Sequence, residues 1–147
     1  MTKITLLDGS IGQELVKRGS SPATQLWSTN VMMEQPELVA DVHADYFAAG
    51  ATVATTNTYP VHRNRLEREG IEDRQAALIE QAVDQAVAAV AAHGSGRIAG
   101  ALGPVVASYR PDAMPDVGMA AEQFAAKIAM IGERVDVLLA ETVSSLQ

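Results

Sequence analysis

The chain has 147 residues, of which 48% are hydrophobic and 20% charged, and a formal net charge of −7. This length and apolar content can bury the core of one globular domain and exclude a disordered protein. The acidic balance excludes a nucleic-acid surface, which needs a basic stripe, and the absence of cysteine excludes a disulfide framework or a thiolate metal site within these residues.

Four short apolar runs have the aliphatic and β-branched residues of strands that are covered on both faces. They are KITLL at 3–7, TVATT at 52–56, RIAGAL at 97–102 and VDVLLAE at 135–141. Helical periodicity predicts helices over 36–49, 72–93 and 119–134, with long loops at 19–35 and 104–118. On the third helix Phe124, Ile128 and Ile131 are available for packing.

Strands that alternate with crossover helices pair in parallel, so the sequence predicts an α/β fold. Four strands and three crossover helices fit a doubly wound sheet or half of an eight-stranded barrel, and length alone does not distinguish them.

Two carboxylates follow strands at corresponding positions. Asp8 comes directly after the first run, and Glu141 ends the fourth. Because the carboxyl ends of parallel strands share one edge, both acids are expected at the edge where such folds bind ligands. Each is either a loop-anchoring group or a ligand for an ammonium, a metal or a proton in transit.

Small and hydroxyl-bearing residues accompany these acids. The turn Gly9–Gly12, with Ser10 between its glycines, is either a plain strand-to-helix turn or an anion-binding turn. Thr55, Thr56, Asn57 and Thr58 end the second run, where such clusters are often simple turn chemistry.

The remaining charged and titratable residues favour structural interpretations. Arg63, Arg65 and Arg68 are interrupted by glutamates and predict a solvated helix face, with an anion contact as the alternative. His43 is expected to be packed and hydrogen-bonded, and His62 is the histidine expected closest to a site.

As a set, several motifs resemble the homocysteine S-methyltransferases, which include betaine-dependent enzymes, S-methylmethionine-dependent enzymes and the homocysteine domain of methionine synthase. The motifs are LLDGSIGQEL, LWS at 26–28, QPELVADVHADYFAAGA, TNTY with Asn64 and Leu66 beyond it, GALGP and VDVLLAET. The resemblance implies a (β/α)8 TIM barrel, of which residues 1–147 are the N-terminal portion, about four βα units of a single homocysteine-binding domain.

The resemblance also implies a function: transfer of a methyl group from a small donor to the zinc-activated thiol of homocysteine, which gives methionine. Asp8 and Glu141 match the acidic positions that receive the amino group of homocysteine. Gly9, Ser10 and Gly12 match the loop that packs against the amino acid backbone, and Thr56, Asn57 and Thr58 match a segment that lines the same pocket.

In the family, three cysteine thiolates hold zinc, and they follow the point that corresponds to Gln147. Zinc is therefore expected in the complete family domain, whereas no residue of this chain matches its ligands. We expect the 147-residue chain to carry substrate-recognition residues and to have no methyltransferase activity alone.

Two other functions fit the residues. One is a non-catalytic half barrel that binds an amino acid or self-associates through exposed strand edges. The other is an unrelated barrel enzyme in which Asp8 and Glu141 hold Mg²⁺ or shuttle protons. The chain shows no signal peptide and no apolar run that could span a bilayer, so a soluble cytoplasmic protein without membrane or nucleic-acid partners is expected.

Overall fold

The computed structural model describes residues 4–20 and 24–143, which form an α/β fold around a parallel sheet. The helices are α1 (Ile11–Arg18), α2 (Ser28–Glu34), α3 (Pro36–Ala48), α4 (Arg63–Glu67), α5 (Gln75–His93) and α6 (Val117–Ile131). The strands are β1 (Val53–Thr55), β2 (Arg97–Leu102) and β3 (Val137–Ala140). Single 3-10 turns occupy Glu72–Arg74, Pro111–Ala113 and Gly132–Arg134. The predicted α/β class with a parallel sheet is confirmed.

The strands pair in chain order, with β2 between β1 and β3. The first predicted run continues this order beside β1, but only as one bridge between Leu7 and Val53. The Asp8 amide also donates to the Val53 carbonyl at 3.3 Å. The prediction of a regular first strand is therefore wrong for the described residues, and Lys3 lies outside them. All the carboxyl ends nevertheless meet at one edge of the sheet.

The predicted helices are present with small shifts in their ends and faces. Pro36 occupies the first turn of α3, and α5 ends at Gly94, whose φ of 80° is left-handed and suits glycine. The buried face of α5 includes Leu78, Ile79, Ala82 and Val83, whereas Ala76 is exposed.

The long loop predicted over 19–35 is wrong for residues 28–34, which form α2. Ser28, Thr29 and Asn30 are poor helix formers. The N-cap residue, Trp27, makes no side-chain hydrogen bond to the first turn, so local sequence does not favour this helix. Val31 and Met32 are buried in the core, and such burial contributes about 1.5–3 kcal/mol per side chain. Tertiary packing therefore outweighs weak propensity here; residues 21–23 lie outside the described part of this segment.

The outer runs of the sheet are exposed, although the sequence predicts that they are covered. Ile4 is 88% exposed and Leu6 is 53% exposed beside β1, and Val137 and Leu138 of β3 are each 41% exposed. The sheet thus presents apolar side chains to solvent at both of its outer runs. Among the described residues, no helix combines the length and apolar character needed to cross a membrane.

Candidate functional site

A cavity of about 420 Å³ opens where the strands end. Six of the predicted substrate-binding residues line it: Gly9, Ser10, Gly12, Thr56, Asn57 and Glu141. Trp27, Tyr59, Arg65, Ser108 and Tyr109 also contribute to its wall. The sheet edge therefore brings three separate chain segments of the predicted site together in one ligand-sized space.

Asp8 lies behind this wall, and its side chain is 2% exposed. Its carboxylate accepts hydrogen bonds from the Thr55 amide at 2.6 Å and from Thr55 Oγ1 at 2.5 Å. Burial raises the pKa of Asp8, and the bonds from Thr55 oppose that rise. In this geometry Asp8 anchors the end of the first run to β1, and its role as a ligand for an amino group stays a prediction.

Glu141 faces the cavity directly and is half-buried. Its amide donates to the Leu102 carbonyl at 3.0 Å, which continues the pairing of β3 with β2 and fixes the direction of the side chain's approach. Burial raises the pKa of Glu141, the charge of Asp8 raises it further, and Lys127 lowers it. The two predicted acids therefore act within one electrostatic environment, although only Glu141 lines the cavity.

The glycine turn is shaped by aromatic rings. A Cβ on Gly9 would lie 2.5 Å from Tyr46 Oη, and one on Gly12 would lie 2.6 Å from the ring of Trp27. Ser10 is the N-cap of α1, and its Oγ accepts from the Gln13 amide at 3.3 Å. The hydroxyl of Ser10 therefore serves the helix, while the absence of side chains at the glycines lets both rings pack against the turn.

The hydroxyls of Thr56 and Thr58 form a closed hydrogen-bond circuit with Ala101 of β2. The Ala101 amide donates to Thr56 Oγ1 at 3.1 Å, and Thr58 Oγ1 donates to the Ala101 carbonyl at 2.7 Å. Because Thr58 has only one hydroxyl proton, Thr56 donates across the 2.8 Å contact between the two hydroxyls. Thr58 lies behind the wall, and both hydroxyl protons are used within the protein.

Asn57 connects the cavity floor to α2. Its Oδ1 accepts from Ser28 Oγ at 2.8 Å, and its Nδ2 donates to the Ser28 carbonyl at 3.2 Å. These two bonds tie Ser28, the first residue of α2, to the segment that follows β1. Asn57 therefore fixes the position of α2 against the cavity, next to Trp27.

Lys127 is a buried cation that sequence analysis missed. Its Nζ donates to the Thr58 carbonyl at 2.6 Å and lies 3.2 Å from His62 Nε2, which is also 2.9 Å from the Gly103 carbonyl. Burial and Arg65 lower the pKa of Lys127 to about 7, while Glu141 raises it. Lys127 therefore supports the backbone at Thr58, which lies behind the cavity wall.

His43 is packed in the core as expected, and its side chain is fully buried. The expected hydrogen bond is absent, because neither ring nitrogen has a partner within the described ranges. Nδ1 lies 3.9 Å from Asp8 Oδ2. Burial lowers the pKa of His43 to about 4, so the ring is neutral at pH 7.

The residues present do not fit a zinc centre of the thiolate type, because the sequence contains no cysteine. Across residues 4–20 and 24–143, no group of three or more histidine or acidic side chains is arranged to hold a metal ion.

These observations define an α/β protein with a ligand-sized cavity at the carboxyl edge of a parallel sheet. The family described as Homocysteine S-methyltransferase matches residues 5–147, and the chain belongs to that family.

Relatives and a solved structure resemble different shares of the chain. The homocysteine S-methyltransferase of Escherichia coli (strain K12) is 38% identical over 69% of this chain and 35% of its own length. Homocysteine S-methyltransferase YbgG of Bacillus subtilis (strain 168) is 39% identical over 58% of this chain and 28% of its own. The crystal structure of the metallated homocysteine methyltransferase MmuM from Escherichia coli superposes with a TM-score of 0.82 at 32% identity, over 96% of this chain and 54% of that one. The chain thus spans about half the length of that solved relative.

Proposed function

We propose that this chain supplies the homocysteine-recognition part of a homocysteine S-methyltransferase, which transfers a methyl group from a small donor to the thiol of homocysteine and produces methionine. The observation that carries the proposal is the meeting of Glu141, the Gly9–Gly12 turn and Thr56–Asn57 in one cavity of a family member. Residues 1–147 are then the N-terminal portion of one (β/α)8 barrel domain. Parallel strands in chain order support this architecture.

In this proposal Glu141 pairs with the ammonium group of homocysteine. The side chain is half-buried, so the attraction acts at an effective dielectric nearer 20 than 80 and reaches about 4 kcal/mol at 4 Å before desolvation. The Gly9–Gly12 turn receives the backbone end of the amino acid, since it lines the same cavity as Glu141. Asp8 adds negative charge from behind the wall.

The test is calorimetric titration of the chain with homocysteine. Glu141→Gln removes the charge at constant size, and we expect affinity to fall by about 10- to 100-fold, which corresponds to about 1.4–2.7 kcal/mol. Glu133→Gln is the matched control, because Glu133 is exposed in a 3-10 turn away from the cavity. Unchanged homocysteine affinity in Glu141→Gln contradicts the proposed role, and tight Mg²⁺ binding in place of homocysteine favours the proton-shuttle or metal alternative.

Methionine formation gives a second measurement. This chain supplies no thiolate that could hold a metal to activate the homocysteine sulfur. We therefore expect the purified chain, supplied with homocysteine and a small methyl donor such as S-methylmethionine or glycine betaine, to bind homocysteine and form no methionine. Methionine produced by the chain alone contradicts this expectation.

Self-association is a second candidate property, which the exposed outer runs favour. Leu138 and Val137 of β3, and Leu6 beside β1, are apolar and solvent-exposed at positions where strands can pair. We expect Leu138→Lys to reduce any concentration-dependent increase in mass measured by sedimentation. Val117→Lys on α6 is the control, since Val117 is exposed but lies on a helix. A chain that is monomeric at all concentrations contradicts this candidate.

A further inference from the structure

Arg65 is a cationic side chain in the cavity wall that the role of Glu141 does not explain. It lies on α4, is half-buried, and lines the same space as Glu141. Its guanidinium carbon is 5.9 Å from the centre of the Tyr59 ring, and its Nη2 donates to the Pro104 carbonyl at 3.3 Å. These contacts hold the side chain against the wall and away from bulk solvent.

Among the described residues, Arg65 makes no ion pair with an acidic side chain. Arg68, Arg74 and Arg97 make none either, but they are exposed, whereas Arg65 is half-buried. Arg18, Arg63, Arg110 and Arg134 each pair with a carboxylate on the surface. Within residues 4–20 and 24–143, no carboxylate lies within 4.0 Å of the Arg65 guanidinium. Its Nε is buried and has no hydrogen-bond partner there. The predicted solvated face therefore describes Arg63 but not Arg65.

An unpaired guanidinium with a buried, unsatisfied N–H group is costly unless an anion compensates it. Burial lowers the pKa of Arg65, which shows the same penalty on its charged form. The guanidinium retains further N–H donors after the single bond to Pro104. An anionic group that enters the cavity from solvent would satisfy both the charge and the free donors.

We propose that Arg65 binds the carboxylate of a zwitterionic ligand in this cavity, while Glu141 binds its cationic group. This inference rests on the proposed function and assigns the second charged contact of that same site. The carboxylate belongs either to homocysteine or to a methyl donor that carries one, such as an amino acid sulfonium or a carboxylated quaternary ammonium.

The charges of the cavity favour a carboxylate over a larger anion. A guanidinium matches the planar, two-oxygen geometry of a carboxylate with paired N–H donors. Glu141 lines the same cavity, and the chain carries a net charge of −7, so a polyphosphate or nucleic acid would meet repulsion. A small zwitterion instead offers a carboxylate to Arg65 and a cationic group to Glu141, which line the same cavity.

The test compares ligands with and without the carboxylate by calorimetry. Arg65→Met removes the charge and keeps an unbranched side chain, and Arg65→Lys keeps the charge without the planar fork. If the carboxylate is that of homocysteine, we expect about a tenfold or greater loss of homocysteine affinity in Arg65→Met and a smaller loss in Arg65→Lys. 3-Aminopropane-1-thiol, which lacks the carboxylate, should bind Arg65→Met and the unchanged chain equally.

A second set of titrations tests whether the carboxylate belongs to the methyl donor. It compares the affinity for glycine betaine with that for tetramethylammonium, and the affinity for S-methylmethionine with that for its decarboxylated analogue. If Arg65→Met loses affinity for the carboxylated member of a pair and not for the other member, the carboxylate that Arg65 binds belongs to the donor. Arg63→Met is the control, because Arg63 lies on the same helix, is exposed and pairs with Glu67. Thermal unfolding shows whether Arg65→Met has lost its fold. If it has, the test uses Arg65→Lys and the NMR resonance of the Arg65 Nε–H group. That resonance should shift when the carboxylated ligand is added to the unchanged chain.

The outcomes separate the two proposals. One outcome overturns the inference and leaves the proposed function intact. In it, homocysteine binding depends on Glu141, but neither Arg65 nor the ligand carboxylate affects the affinity for homocysteine or for the donors. Failure of the folded, unchanged chain to bind homocysteine or any donor overturns both. An Arg65-dependent preference for a carboxylated donor without homocysteine binding supports the Arg65 contact and contradicts the proposed substrate.

Discussion

Replacing Lys127 by methionine tests whether a buried ammonium supports the cavity at a cost in stability. The side chain is fully buried, and its Nζ donates to the Thr58 carbonyl. Burial lowers its pKa to about 7 from an ordinary value of 10.5. Between these values the unfolded chain retains a proton that the folded chain has released, so the free energy of unfolding must rise with pH.

This interval sets an upper limit of about 5 kcal/mol on the stability gained between pH 7 and pH 10.5. Below pH 7 both states are protonated, and the full penalty of the buried charge is present. The methionine of Lys127→Met does not titrate. The unfolding free energy of the unchanged chain should therefore rise by about 2–5 kcal/mol relative to that of Lys127→Met between pH 7 and pH 10.5.

Urea unfolding at pH 7, 8, 9 and 10, followed by circular dichroism, measures this difference. Lys17→Met is the control, because the Lys17 side chain is 71% exposed and makes only a surface ion pair with Glu14. A difference between Lys127→Met and the unchanged chain that is constant with pH refutes the reasoning, as does an equal slope in Lys17→Met. We also expect Lys127→Met to weaken homocysteine binding, since Thr58 loses a support.

Three further predictions concern acid stability, close packing and the charge of the site. His43 has a pKa lowered to about 4, so stability should fall by up to about 3 kcal/mol as pH drops from 6.5 to 4, and His43→Leu should reduce that fall in acid urea titrations. Gly103→Ala places a Cβ 2.7 Å from the Tyr59 ring and should cost about 1–3 kcal/mol in thermal unfolding, unlike Gly118→Ala in the first turn of α6. Homocysteine affinity should decrease as pH falls through the raised pKa of Glu141, and calorimetry of Glu141→Gln should show no such decrease.

Much of the fold follows from local pattern. The run at 97–102 is β2 without any shift, and α5 ends where Gly94 predicts. Predictions from local pattern fail where tertiary contacts determine the secondary structure of a segment. Residues 28–34 become helical through the burial of Val31 and Met32. The described part of the first run forms a single bridge, between Leu7 and Val53, although its composition is that of a strand.

The location of the cavity at the carboxyl edge was predictable because parallel strands end at a common edge, but the orientation of each side chain was not. Asp8 and Thr58 follow strands like their neighbours, yet their polar atoms are satisfied by Thr55 and Ala101 behind the wall. Lys127 could have been found, because it lies three residues after Phe124 and four before Ile131 on the packing face of α6.

The buried position of Lys127 gives Glu141 a property that the sequence pattern does not indicate. Burial and the charge of Asp8 both favour the neutral form of Glu141, which could not form an ion pair with an ammonium. Lys127 opposes these effects and lowers the pKa of Glu141, while its own hydrogen bond goes to the Thr58 carbonyl. Below its pKa of about 7, protonated Lys127 therefore helps to keep the carboxylate ionised without occupying the place where a ligand ammonium would bind.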